Sequence, residues 1–255
     1  MNKKTDYIAV FDSGVSGISV LRQLRKIMPQ EKYLYFGDSA NAPYGVRPVE
    51  EVQQLSLAVA NQLIPYGIKA LVIACNTATA AALETLRDAF PDLIIVGIQP
   101  AVPQGAEQFP GGTVGVMATP LTMKSPKILA LMEQHKDKCN LISLPAPGLA
   151  DLVEAGKANS PESEELLTPL LAPWAGKLDA IILGCTHYPF AAETVTKILG
   201  EKTTVIDGAP ITAAETKRRL EDAGLLNEGT GEVVWRNSLD DPRMLQLSQT
   251  LLELP

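Results

Sequence analysis

The chain has 255 residues, 46% of them hydrophobic and 20% charged, with a formal net charge of −7. That length can bury a substantial core, in one large domain or two small ones. The acidic balance speaks against a nucleic-acid partner, which needs a concentrated basic face, and no run approaches the roughly 18 apolar residues of a membrane span.

The opening residues lead straight into the strand-like Tyr7–Phe11 with no signal-peptide layout, and three cysteines make no disulfide framework. Both features predict a reducing cytoplasm. After Tyr7–Phe11 comes the turn Asp12-Ser13-Gly14-Val15-Ser16-Gly17, then an amphipathic helix over Ile18–Met28. Strand, Gly-rich turn and helix make an anion-receptive helix start, but the spacing is neither G-x-G-x-x-G nor a P-loop. Asp12 would repel phosphate there; it suits an ammonium group or a catalytic base, or simply caps the helix. Tyr33–Phe36 is the next strand, and it empties into the polar loop Gly37-Asp38-Ser39-Ala40-Asn41-Ala42-Pro43-Tyr44-Gly45. A helix is expected over Glu50–Tyr66, a strand over Ile68–Ala74, a helix over Thr77–Phe90 and a strand over Leu93–Ile98.

Gln99–Gly112, rich in Pro and Gly, reads as a domain boundary. Beyond it the pattern restarts with strand Thr113–Met117, a polar exit over Ala118–Thr122, helix Pro126–His135 and strand Asn140–Leu144. A short helix over Leu149–Ala155 carries Asp151 and Glu154, and helix Glu164–Trp174 follows a polar break. Strand Ala180–Leu183, helix Ala191–Leu199, strand Thr203–Ile206, helix Ile211–Ala223, strand Glu232–Arg236 and helix Pro242–Leu252 complete the chain. Strands alternating with helices predict an α/β fold with mostly parallel sheets. The expectation is two pseudo-symmetric open-sheet domains, 1–98 with 208–255 and 99–207, and an active site in the cleft between them.

Two stretches repeat one design. Ala180-Ile181-Ile182-Leu183 stops at Gly184 and delivers Cys185, Thr186 and His187; Lys69–Ala74 delivers Cys75, Asn76 and Thr77. Open α/β sheets bind ligands outside the carboxyl ends of their strands, where both thiols fall. A cysteine is often just a small buried hydrophobe, but two of them at matching strand ends, each among polar residues, point to chemistry. Cys75 also sits at a helix start, whose dipole and free N–H groups stabilise a thiolate. Cys139, in a charged stretch, reads as incidental. A metal site would need three or four ligands, and the chain has two histidines and no Cys-x-x-Cys. A single acylating Cys with a His base leaves the second thiol unexplained. Proton transfer at carbon by two thiols, one on each face of a stereocentre, uses both.

Asp12-Ser13-Gly14, Asp38-Ser39-Ala40-Asn41 with Pro43-Tyr44-Gly45, Cys75-Asn76-Thr77 and Gly184-Cys185-Thr186-His187-Tyr188-Pro189 resemble, in order and spacing, the signature blocks of the glutamate racemases, within the aspartate/glutamate racemase superfamily. The resemblance runs from residue 7 to residue 210, and the Pro-Tyr-Gly block favours the glutamate branch. It implies cofactor-independent interconversion of L- and D-glutamate, feeding bacterial peptidoglycan. Cys75 and Cys185 would be the two acid/base groups, with Asp12 assisting the first and His187 and Glu154 the second. Substrate would be held by Asp12, Ser13, Pro43, Tyr44, Gly45, Asn76, Thr77, Thr119, Thr122, Thr186 and His187, with no metal; a homodimer is left open. Ser16 and Ala118 depart from glycines usual in the family, which should alter the first turn and tighten the second-half loop. The alternatives are a racemase of another amino acid, chiefly aspartate, and a two-lobed small-ligand binding protein, in which paired cysteines would be superfluous.

Overall fold

A computed structural model describes residues 3–239 and 241–253. Met1, Asn2, Asp240, Leu254 and Pro255, which the expected first domain includes, lie outside the described residues. The chain divides into two compact units: one runs to Gln99 and resumes at Ala209, and the other spans Pro100–Gly208.

The first unit opens with β1 (Tyr7–Asp12), α1 (Ile18–Ile27), β2 (Tyr33–Gly37), α2 (Val49–Leu63), β3 (Ile68–Ile73), α3 (Asn76–Ala89) and β4 (Ile94–Gly97). The second contains α4 (Val102–Gln108), β5 (Thr113–Ala118), α5 (Pro120–Lys124), α6 (Pro126–His135), β6 (Asn140–Pro145), α7 (Leu149–Glu154), α8 (Pro161–Leu171), β7 (Ala180–Leu183), α9 (Ala192–Leu199) and β8 (Thr204–Asp207). The first unit then finishes with α10 (Ala209–Asp222), β9 (Val233–Asn237) and α11 (Pro242–Glu253).

All described strand pairs are parallel. The first sheet has the order β4-β3-β1-β2-β9 and the second β6-β5-β7-β8. Read from the first strand of each unit, both follow one scheme, with the second strand on one side of the first and the third and fourth on the other. The first sheet then adds β9 beside β2. The internal repeat thus extends from the thiol-bearing stretches to the topology of both sheets.

The first sheet is covered on both faces, which is why its strands are near-continuous apolar runs. Ala9, Phe11, Leu34, Phe36, Leu71 and Ile73 share a core with Val52, Val59 and Leu63 of α2 and Ala78, Ala82 and Leu86 of α3. The alternate residues Ile8, Val10, Tyr33, Tyr35, Ala70 and Val72 are equally buried, and α1 packs with α10 and α11. Each such aliphatic side chain contributes about 1.5–3 kcal/mol relative to exposure. In the second unit Met117, Leu144, Ile181 and Leu183 pack with Leu167 and Leu171 of α8 and Val195 and Leu199 of α9.

Two helices were not expected. The Pro/Gly-rich stretch read as a boundary contains α4, where Pro103 occupies the first turn, the one place that tolerates a missing N–H. Gly105 belongs there because a Cβ would stand 2.9 Å from Ile182 Cδ1 and 3.3 Å from Val114 Cγ1, so glycine lets α4 lie against the sheet. The polar exit after β5 is α5, capped by Thr119, whose Oγ1 accepts from the Thr122 N–H at 3.3 Å.

A buried ion pair ties the first unit together at the entry to β3. Lys69 Nζ donates to Glu31 Oε2 at 2.6 Å and to the carbonyls of Lys4 (2.6 Å) and Leu225 (2.9 Å). Glu31 Oε1 accepts from the Asn227 N–H at 2.8 Å, so both charges are well partnered. Such a pair is weak evidence for net stability, but removing one partner would strand a buried charge.

Candidate active site

β1, β2 and β3 are neighbours, and their carboxyl ends bring the first unit's polar residues together. Asp12 ends β1, Gly37 ends β2, and Cys75 follows β3. Asp12 is fully buried, and its Oδ1 accepts from the Gly14 N–H at 3.0 Å and from Ser16 Oγ at 3.1 Å. Gly17 makes room for it, since a Cβ there would come within 2.5 Å of Asp12 Cβ. Cys75 caps α3: its Sγ accepts from the Ala78 N–H at 3.4 Å and lies 3.4 Å from Ser13 Oγ, to which the thiol donates. A negative sulfur would be the better acceptor for that N–H, and the helix dipole favours it. Asn76 and Thr77 open the same helix. Asn76 Nδ2 is buried and, among the described residues, has no hydrogen-bond partner, so an unsatisfied donor stands beside the thiol.

The loop after β2 is built around Asp38, a residue whose role the sequence alone does not reveal. Asp38 Oδ2 accepts from Tyr44 Oη at 2.6 Å, and both its carboxylate oxygens accept from Asn41 Nδ2. Burial, then the Asp38 contact, pushes the Tyr44 phenol well up, with the charges of Cys75 and Asp12 adding to it. Tyr44 is therefore neutral, packed edge-on against Phe11, and close enough to feel the thiol and Asp12. The flanking Pro43 follows a cis peptide bond and is exposed, while Gly45 is half-buried. Arg47 closes the loop by donating to the Asn41 carbonyl at 2.8 Å and pairing with Glu51. An aspartate among turn residues looks like turn chemistry in sequence, which is why Asp38 was missed.

In the second unit the equivalent ends belong to β5 and β7. Gly184 lies so close to β5 that a Cβ would stand 3.0 Å from Ala118 Cβ and 3.2 Å from the Met117 carbonyl oxygen. The absence of a side chain at Gly184 leaves room for Ala118 there. Cys185 Sγ is 3.5 Å from His187 Nδ1, and His187 Nε2 is 2.8 Å from Glu154 Oε1 on α7. Burial alone would push His187 down; hydrogen bonds and charges from Cys185 and Glu154 outweigh it and hold the imidazole well above 6.5. The imidazole thus lies between the Cys185 sulfur and the Glu154 carboxylate, and both favour its protonated form. Thr186 is buried beside them, whereas Asp151, on the same helix as Glu154, is exposed. Thr119 Oγ1 donates to Thr122 Oγ1 at 3.0 Å just past the end of β5, the strand next to β7.

Each unit therefore gathers its own set: Asp12, Ser13, Tyr44, Cys75, Asn76 and Thr77 in the first, and Thr119, Thr122, Glu154, Cys185, Thr186 and His187 in the second. Cys139 stands apart, buried and with its thiol pushed up by that burial, which disfavours the thiolate. None of the three cysteines is in a disulfide. No described helix is long and apolar enough to cross a membrane.

A repeated parallel-sheet unit with one polar-flanked thiol at each central strand end has close counterparts. The family model described as Asp/Glu/Hydantoin racemase matches residues 13–216, and the chain belongs to that family. Within it, the chain is 40% identical over 256 residues to the glutamate racemase of Clostridium botulinum (strain Alaska E43 / Type E3), covering 99% of both chains. Among solved structures it is similar to glutamate racemase isoform RacE1 from Bacillus anthracis, with 31% identity, a TM-score of 0.87 and coverage of 98% and 95%. It is likewise similar to the glutamate racemase of Francisella tularensis in complex with D-glutamate, with 28% identity, a TM-score of 0.85 and coverage of 98% and 95%.

Proposed function

We propose that this chain is an isomerase that interconverts L- and D-glutamate by proton transfer at Cα, with Cys75 and Cys185 as its two acid/base groups. The observation that carries the reading is the pairing of each thiol, at its own strand end, with a different polar neighbour: Ser13 and the Ala78 N–H at Cys75, His187 and Glu154 at Cys185. In the reaction one sulfur, as thiolate, removes the Cα proton. The electron pair left on Cα delocalises into the adjacent carboxylate, and the other sulfur, as thiol, returns a proton to the opposite face. Bond making and breaking balance without an oxidant or a cofactor, and the second direction runs with the roles exchanged. His187, hydrogen-bonded to Glu154 on its far side, can supply or accept the proton that Cys185 needs between turnovers.

The remaining groups suit an amino acid with two carboxylates. Asn76 Nδ2 is an orphan donor, Thr119, Thr122, Thr77 and Thr186 offer hydroxyls, and Asp12 matches an ammonium group. The name of the Clostridium relative and the D-glutamate in the Francisella complex favour glutamate over aspartate. Supply of D-glutamate for peptidoglycan is the role that follows, in a cytoplasm where free thiols stay reduced. The test is incubation of the purified chain with each enantiomer of glutamate and of aspartate, read by chiral chromatography. Both glutamate enantiomers should converge on one mixture without metal or pyridoxal phosphate. Failure to interconvert glutamate would overturn the reading.

A further inference from the structure

The last strand of the first unit touches the polar loop after β2 and, through Tyr35, is linked to the turn after β1. β9 pairs with β2 in register, with Tyr35 opposite Trp235 and Gly37 opposite Asn237. Asn237 Nδ2 donates to Ser39 Oγ at 2.9 Å, and Ser238 Oγ accepts from the Ala40 N–H at 2.8 Å. The Ser238 N–H continues the ladder to the Gly37 carbonyl at 2.9 Å. Two residues back along both strands, the rings of Trp235 and Tyr35 lie 5.7 Å apart, and Tyr35 Oη donates to the Gly14 carbonyl at 2.9 Å. Gly37 is the crossing point, since a Cβ there would stand 2.5 Å from the Gly14 oxygen and 3.0 Å from Asn237 Nδ2.

From this geometry we infer that Asn237 and Ser238 are positioning residues for substrate binding. They hold the stem of the 37–47 loop, and so set where Tyr44 stands beside Asp12 and Cys75. The inference rests on the racemase reading above, in which Pro43, Tyr44 and Gly45 hold the substrate. Neither side chain is near a reacting atom through its own bonds. They act by fixing Ser39 and Ala40, from which the Asp38–Asn41–Tyr44 network hangs. Without them the stem keeps only its backbone ladder, and the loop gains freedom that substrate binding must remove. The loss falls on binding that ground state and transition state share, so it should appear in KM rather than kcat.

The test compares Asn237→Ala, Ser238→Ala, their double variant and Ser238→Thr in the full chain. Steady-state kinetics would be read in both directions, with urea unfolding and amide hydrogen exchange at Ala40. Each alanine variant should raise KM by about 3- to 10-fold for both enantiomers, with kcat within about twofold. Ser238→Thr, which keeps the acceptor oxygen, should retain the wild-type KM, and Ala40 should exchange faster in Ser238→Ala. An unchanged KM in the double variant, a KM increase shared by Ser238→Thr, or a KM increase that only follows a lowered unfolding midpoint would overturn the inference. A wild-type chain inert toward glutamate would instead strike the racemase reading. Ala40 exchange would then still decide whether β9 holds the loop, and an unchanged rate would overturn that too.

Discussion

Ser16 Oγ donates to Asp12 Oδ1 across 3.1 Å, with both side chains fully buried. Ser16 thus does more than fit the first turn: it adds a donor to the Asp12 carboxylate. With the Gly14 N–H on the same oxygen, it holds that end of the Asp12 carboxylate in place. Ser16→Ala should therefore lower kcat by about 10- to 150-fold, the scale of a hydrogen bond to a charged group. The loss should be larger in the direction in which Cys75 removes the proton. The overall equilibrium fixes the ratio of the two kcat/KM values, so the asymmetry must be sought in kcat and KM separately. Equal kcat losses in both directions would detach Asp12 from Cys75.

His187 leads to a pH prediction with a definite sign. Its folded-state value is raised by Cys185 and Glu154 against the opposing effect of burial. It therefore contributes stability that is complete below its ordinary value of 6.5 and is lost as pH rises through the raised value. Glu154→Gln keeps the shape and removes the charge. In that variant the imidazole titration, followed by NMR, should move down toward 6.5, and the alkaline fall in urea midpoint should begin at lower pH. A titration that does not move would show that Glu154 is not what holds the proton on His187.

Much of this site was legible in the sequence, and what was not has physical reasons. β1, β3 and β7 stand out because strands buried on both faces must be unbroken apolar runs, and a polar residue straight after such a run marks a site. α4 was hidden because Pro103 and Gly105 look like punctuation; only the closeness of Ile182 and Val114 explains a glycine inside that helix. Asp38 was hidden because its partners, Asn41 and Tyr44, form an ordinary-looking loop until folded. The work of Asn237 and Ser238 depends on a pairing 198 residues long, which no local pattern encodes.

The two thiols should fail separately. Cys75→Ser and Cys185→Ser should each reduce racemisation by about 10²- to 10⁴-fold, since a hydroxyl is a poor acid and base near neutral pH. In D₂O the wild-type chain should place solvent deuterium on Cα of the product enantiomer from the first turnover. The abstracted proton stays on one sulfur while the other, already exchanged, delivers its own. Product that retains the substrate's hydrogen would mean one base serving both faces.

Gly184 offers a paired test of how Cys185 is seated. Gly184→Ala would press a methyl against Ala118 Cβ at 3.0 Å and the Met117 oxygen at 3.2 Å, moving the residue before the thiol. Lower turnover and a lower unfolding midpoint should result. Adding Ala118→Gly relieves the contact with Cβ but not that with the oxygen, so partial recovery is expected, with a coupling of about 0.5–3 kcal/mol. Strict additivity of the two substitutions would count against this packing.

The place of β9 also matters while the chain is being made. Ala40 meets Ser238 only after 198 further residues have been joined, which at about 5–20 residues per second takes about 10–40 s. Once β3 and β4 have been made, and until β9 arrives, β2 is the open edge of the sheet, and its N–H and C=O groups stand ready for any passing extended segment. The contiguous Pro100–Gly208 unit, by contrast, has all its strands to hand before β9 leaves the ribosome. The period of greatest exposure to mispairing thus falls between two sheets of one design, and it ends with the strand that seats the loop at the Cys75 site.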